Sequence, residues 1–155
     1  MGVVMFYQLS HSGPEQTLRL LMGSALGQGW RVMIRSPDPA HLARLDERLW
    51  LEPEDDFIPH GHEGTAHDAD QPVLLGAGPV VNGAQGLMLL DGAEASEEEA
   101  RSLQRVWVIF DDQDKPLLEA ARRYWKRITE AGIAAQYWAE DGNRWEKKAE
   151  KPAAP

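Results

Sequence analysis

Five of the sixteen lysines and arginines in this acidic chain crowd into thirteen positions, as Lys115, Arg122, Arg123, Lys126 and Arg127. Arg122 and Lys126 are four residues apart, the spacing that puts two side chains on one helix face. Trp125 stands between them in the sequence. Cations beside an aromatic ring, with Leu118 close by, suit a short acidic peptide that carries an apolar anchor. The cations would receive carboxylates and the ring would line a pocket. The same residues also fit a solvated helix face with one partly buried tryptophan, and spacing alone leaves both readings open.

Two further groups could carry chemistry. His60, His62 and His67 lie near Glu63, Asp68 and Asp70, and imidazoles with carboxylates can ligate zinc or another divalent cation. Their spacing matches no established site, and ligands on a flexible loop are poorly preorganised, so no metal is expected. Trp50, Phe57 and Pro59 are large rigid apolar groups beside polar sequence. Exposed together they would form a protein-binding patch; otherwise they cover one end of the core.

Catalytic machinery is sparse. Gly76-Ala77-Gly78 comes nearest to a dinucleotide fingerprint, but Val81 stands where the third glycine belongs and no helix is predicted behind it. There is no Walker motif. Ser24 falls inside a predicted helix and reads as a small packing residue. The chain has no cysteine, which excludes disulfides, thiolate metal sites and a cysteine nucleophile. The formal net charge of -9 argues against direct high-affinity nucleic-acid binding, which needs a surface that displaces counterions from phosphate. No apolar run approaches the ~20 residues of a membrane span, and no signal peptide is visible at the start. A cytoplasmic protein without membrane attachment is expected.

The elements that must position these residues alternate. Val3–Leu9 reads as a strand. Ser12, with Glu15 three residues on, offers a helix start, and that helix runs to about Leu26. A strand over 30–34 and a helix over 40–50 follow. Residues 61–72 read as an exposed loop. Short strands are predicted at 73–75, 87–90, 106–110 and 134–138. A short acidic helix starts at Ser96. The strongest helix spans 116–131, with Leu117, Ala121, Tyr124, Ile128 and Ala131 on its core face. Strands and helices in alternation predict a single α/β domain, a mostly parallel central sheet flanked by helices. Its topology would be Rossmann-like, without a functional nucleotide site. The Lys-, Glu-, Pro- and Ala-rich end from Glu146 reads as disordered. That sets a domain over residues 1–147 and a tail over 148–155.

Several of these residues, taken in order, resemble the chi subunit family of bacterial DNA polymerase III. The resemblance rests on Phe6-Tyr7-Gln8-Leu9 and on Leu45-Asp46-Glu47-x-Leu49-Trp50-x-x-Pro53-x-x-x-Phe57-Ile58-Pro59-His60. It continues at Arg122-x-x-Trp125-Lys126, at Trp138 and at Gly142-x-x-Trp145, and so spans roughly residues 5–147. It implies an accessory subunit with no catalytic activity of its own and no cofactor. Such a subunit bridges the clamp loader, through the psi subunit, to the acidic C-terminal tail of single-stranded DNA-binding protein, which ends in Phe. The resemblance assigns Arg122, Trp125 and Lys126 to the tail site, with Trp125 standing where some members have Tyr. It assigns Trp50, Phe57, Pro59 and His60 to psi contact. The alternative is a nucleotide- or metal-dependent enzyme on the same scaffold.

Overall fold

The computed structural model describes residues 2–51 and 60–155, and the side chains of Trp50 and Leu51 are outside the description. One eight-stranded sheet organises the chain. Its strands are β1 (Val3–Leu9), β2 (Val32–Arg35), β3 (Gly61–His62), β4 (Val73–Gly76), β5 (Gly86–Leu89), β6 (Arg105–Asp111), β7 (Ala134–Asp141) and β8 (Arg144–Lys151). Their spatial order is β3-β4-β2-β5-β6-β1-β7-β8. Every pairing is parallel except β7 with β8. The helices are α1 (Pro14–Gly27), α2 (Pro39–Leu51), α3 (Glu97–Ser102) and α4 (Lys115–Glu130). The expected α/β fold with a mostly parallel sheet is the fold observed.

The central strands are apolar throughout because both their faces are covered, as a parallel sheet requires. Along β1 and β6 the side chains alternate between two cores. Val4, Phe6, Val106, Val108 and Phe110 face α4, where Ala121, Tyr124 and Ile128 meet them. Leu9, Trp107 and Ile109 face the other way, toward Leu18 and Met22 of α1 and Leu42, Leu45 and Leu49 of α2. Gly86 is required by this packing, since a Cβ there would lie 2.4 Å from the Trp107 ring.

Several boundaries differ from the sequence reading. The N-cap of α1 is Gly13, with no side-chain cap; the Ser12 hydroxyl donates instead to Glu140. The stretch 61–72 holds the short strand β3 and one turn of 3-10 helix at Asp68–Asp70. The extended piece expected at 57–59 lies outside the described residues. At the chain end, Arg144–Lys151 is not a disordered run but strand β8, hydrogen-bonded to β7. Composition misled here because all eight residues are exposed. An edge strand buries little, so its stability comes from the ladder and from the tight turn at Gly142, whose φ of 62° suits glycine.

Candidate functional site

Helix α4 follows the central strand β6 through a turn capped by Asp114, whose carboxylate accepts the Leu117 amide. Its inward face is fixed by Ala121, Tyr124 and Ile128. The Tyr124 hydroxyl sits 2.8 Å from the Ala95 carbonyl and 3.1 Å from the Ala95 amide, donating to one and accepting from the other. Burial, partly offset by that backbone contact, pushes its pKa up to about 12. With these residues inward, the 100° step per residue turns Trp125 onto the flank beside β7.

There Trp125 is half-buried. Its ring lies edge-on to Phe6 of β1 at 5.4 Å and to Tyr137 of β7 at 5.7 Å, while Phe6 and Tyr137 stack at 5.7 Å. Edge and offset contacts of this kind add about 0.5–1.5 kcal/mol each beyond the area they bury. The Tyr137 hydroxyl donates to Gln8 at 2.7 Å. Burial raises the Tyr137 pKa to about 12; the nearby Arg122 charge works in the opposite sense, and Asp112 adds to the rise. Arg122 therefore lies close enough to this aromatic base to act on it electrostatically.

Arg122 and Lys126 are exposed. Arg122 forms no hydrogen bond or ion pair with any described residue. Lys126 has only a contact at 4.0 Å with Glu130, both side chains being largely exposed. Such pairs contribute about 0–1 kcal/mol, so both cations are available. The structure thus brings Arg122, Trp125 and Lys126 together on one flank of α4. Phe6 and Tyr137, which floor that flank, were not assigned to the site from sequence. They sit opposite one another in the β1–β7 register, a pairing that the order of the chain does not reveal.

The other assigned residues are placed differently. His60 is turned inward with its side chain fully buried, its Nε2 3.1 Å from an Asp46 carboxylate oxygen and 3.2 Å from the Asp46 carbonyl. It anchors the chain to α2 and presents no exposed ring. Trp50 belongs to the last turn of α2; its side chain, and all of Phe57 and Pro59, lie outside the described residues.

The sheet's C-terminal rim is where open α/β folds hold ligands. Here it is filled by the chain's own carboxylates. Glu140 accepts the amides of Ser10, His11 and Ser12, at 3.0, 2.7 and 2.8 Å, and the Ser12 hydroxyl. Burial opposes ionisation of Glu140, but the Ser12 hydroxyl and these amides outweigh it and hold its pKa near 2. Glu63 does the same at the glycine pair, accepting from Ala77 at 2.8 Å and Gly78 at 3.1 Å. Between β2 and β5, Asp91 accepts the Ser36 hydroxyl and lies 2.6 Å from His41 Nδ1.

The histidines and carboxylates of the 60–70 loop are likewise engaged with the chain itself. Glu63 points to the glycines, His60 to Asp46, and Asp68 to its own loop. Amide hydrogen bonds from Gly64 and Thr65 hold the Asp68 carboxyl below its ordinary range. Among the described residues no three histidines or carboxylates converge on a point that could hold a metal ion.

The sheet rim is thus occupied in part by the chain's own carboxylates, while the α4 flank presents exposed cations beside a half-buried aromatic ring. Comparison with known proteins is specific. The family described as DNA polymerase III chi subunit, HolC, matches residues 1–136, and this chain belongs to that family. It is 36% identical over 76 residues to DNA polymerase III subunit chi of Pseudomonas aeruginosa, covering 47% of this chain and 52% of the relative. With the subunit of the same name from Escherichia coli K12 it shares 27% identity over 122 residues, 79% of this chain and 82% of the relative. The match thus spans about half of the first relative and most of the second. The family is that of an accessory subunit of a DNA-replicating polymerase. No described helix is long and apolar enough to cross a membrane.

Proposed function

We propose that this protein is a bridging subunit of the bacterial cytoplasm that acts by binding and not by catalysis. On this reading the α4 flank holds the acidic C-terminal tail of single-stranded DNA-binding protein. The end of α2 and the residues after it, with Trp50, Phe57 and Pro59 as the contact groups and His60 as their internal anchor, meet the psi subunit of the clamp loader. The observation that carries the reading is Trp125 resting edge-on against Phe6 and Tyr137 with Arg122 unpaired beside it. That is an apolar wall and a free guanidinium within reach of one terminal Phe and its carboxylate.

The energetics suit a reversible contact. Burying the Phe ring is worth roughly 1.5–3 kcal/mol, and a charge-assisted bond from Arg122 or Lys126 about 1.5–3 kcal/mol. Ordering a flexible tail subtracts from both, which leaves an affinity on the order of micromolar. Several tails on one partner would strengthen it by avidity.

The test is anisotropy of a labelled tail peptide, with and without its final Phe. Binding is expected to need the Phe, to weaken with salt, and to fall about tenfold or more in Arg122→Ala. Affinity indifferent to the Phe, to salt and to Arg122→Ala would overturn the assignment.

A further inference from the structure

Going round α4 from Trp125, Lys126 stands on the crest, and Arg123 and Arg127, one turn apart, lie on the opposite flank. That flank faces α3 across an open groove of about 450 Å³. Four cations line it: Arg101, Arg123, Lys126 and Arg127. This is an unusual concentration in a chain of net charge -9. Their internal partners hold them loosely. Arg101 lies 3.8 Å from Glu97, and Lys126 lies 4.0 Å from Glu130. Arg127 pairs more closely with Glu94, at 2.5 Å, but both side chains are nearly half exposed. Arg123 has neither a hydrogen bond nor an ion pair among the described residues. One cation is fixed in place, since Arg101 also donates to the Ala131 carbonyl at 2.8 Å.

Apart from Ala131 the groove offers no apolar side chain, so its occupant must be polar. Exposed pairs worth less than about 1 kcal/mol can exchange a glutamate for an incoming carboxylate at little cost. The groove is also continuous with the Trp125 flank, because Lys126 belongs to both.

We infer that the α3–α4 groove is a second, carboxylate-binding subsite, which takes the acidic residues preceding the apolar end of the peptide held at Trp125. The inference rests on the peptide-binding reading above. It fixes a path: the peptide crosses the crest of α4 over Lys126 and descends toward Arg123 and Arg127. A helix is about 10–12 Å across and an extended chain advances roughly 3.3 Å per residue. Passing over the crest covers about half the circumference, roughly 16–19 Å, so the carboxylates that reach the groove lie about five to six positions before the terminal Phe. Acidic residues nearer the end stay on the Arg122 side.

The experiment uses the full chain and three labelled probes: an acidic peptide ending in Phe, the same peptide with serine at every acidic position more than three residues from the end, and a single-stranded oligothymidylate. Arg123→Ser should weaken the acidic peptide about two- to fivefold, the value of one exposed ion pair, and leave the serine peptide unchanged. Trp125→Ala should weaken both. Equal loss for both peptides in Arg123→Ser, or no loss for either, would overturn the subsite. Loss only in Arg123→Ser, with Trp125→Ala and Arg122→Ala silent, would retain the groove as a carboxylate site and remove the tail reading instead. Binding of the oligothymidylate that depends on Arg123, without binding of the acidic peptide, would make the groove a nucleic-acid surface and refute the inference.

Discussion

The rim of the sheet and the outer surface of α4 carry opposite kinds of unfinished chemistry. At the rim, the backbone amides of Ser10, His11 and Ser12, just ahead of α1, and those of Ala77 and Gly78 converge on a single acceptor each, as amides that bind anions do. The chain fills both with glutamates of its own. On α4, positive charge is left with weak partners or none. On the proposed reading, a scaffold built like a nucleotide-binding fold spends the amides of its rim on its own glutamates and binds its partner at a helix flank. The shared architecture predicts where a ligand could go; which groups are already satisfied decides where one does.

That contrast can be broken most directly at Trp125. Trp125→Ala removes the apolar wall, and peptide affinity should fall by about ten- to a hundredfold, the worth of a buried aromatic contact. Melting temperature should fall as well, because the edge contacts with Phe6 and Tyr137 are lost, so affinity is read well below the transition. A calorimetric titration that found affinity intact would return the α4 flank to an ordinary solvated helix face.

The rim should respond in stability and not in binding. Glu140→Gln removes the charge that serves the β1–α1 loop, and should lower the melting temperature by about 3–6 °C with peptide affinity unchanged. The pH dependence has a definite sign. The folded pKa lies near 2, below the ordinary 4.5, so the contribution is complete above about pH 4.5 and is lost as pH falls toward 2. The gap between wild type and Glu140→Gln should therefore narrow over that window. A gap that widened on acidification would mean that Glu140 is not the charge closing the rim.

Tyr137→Phe sharpens the comparison with a smaller effect. It deletes the hydrogen bond to Gln8 but keeps the ring under Trp125. About 1 kcal/mol of stability should go, while the affinity for the peptide changes less than twofold. A larger loss of affinity would give the hydroxyl a part in binding. The smallest effect expected is for Glu63→Gln, which keeps an acceptor at the glycine pair. Its melting temperature should stay within about 2 °C of wild type, and added phosphate should stabilise neither protein. Phosphate-dependent stabilisation of the variant would show that the glutamate had been occupying an anion site.

Much of this molecule could be read before its structure. The apolar runs of β1 and β6 declare strands covered on both faces. The 3–4 spacing of Leu117, Ala121, Tyr124 and Ile128 fixes which way α4 faces, and that orientation puts Arg122 and Lys126 outward. The short acidic helix expected from Ser96 forms, and the structure adds a capping box between Ser96 and Glu99. These features depend on residues near one another in the chain, where local geometry is decided by 3.6- and 2-residue periods. The order of the strands is a different matter. β1 lies between β6 and β7, and only that placement puts Phe6 and Tyr137 under Trp125, from positions more than a hundred residues apart. The same holds for Glu140 in the β1–α1 loop and Glu63 at the glycines. A carboxylate's sequence neighbours say nothing of which distant amides will be left unsatisfied at the sheet rim. Strand β8 escaped a reading by composition because its stability comes from backbone pairing, to which charged side chains are nearly indifferent. The sequence by itself determined the central elements, their inward faces and the cations of α4, but not the edge strands β3 and β8. The tertiary structure alone decided which of the chain's charges are spent on its own backbone and which remain for a partner, because that depends on contacts between segments that only folding brings together.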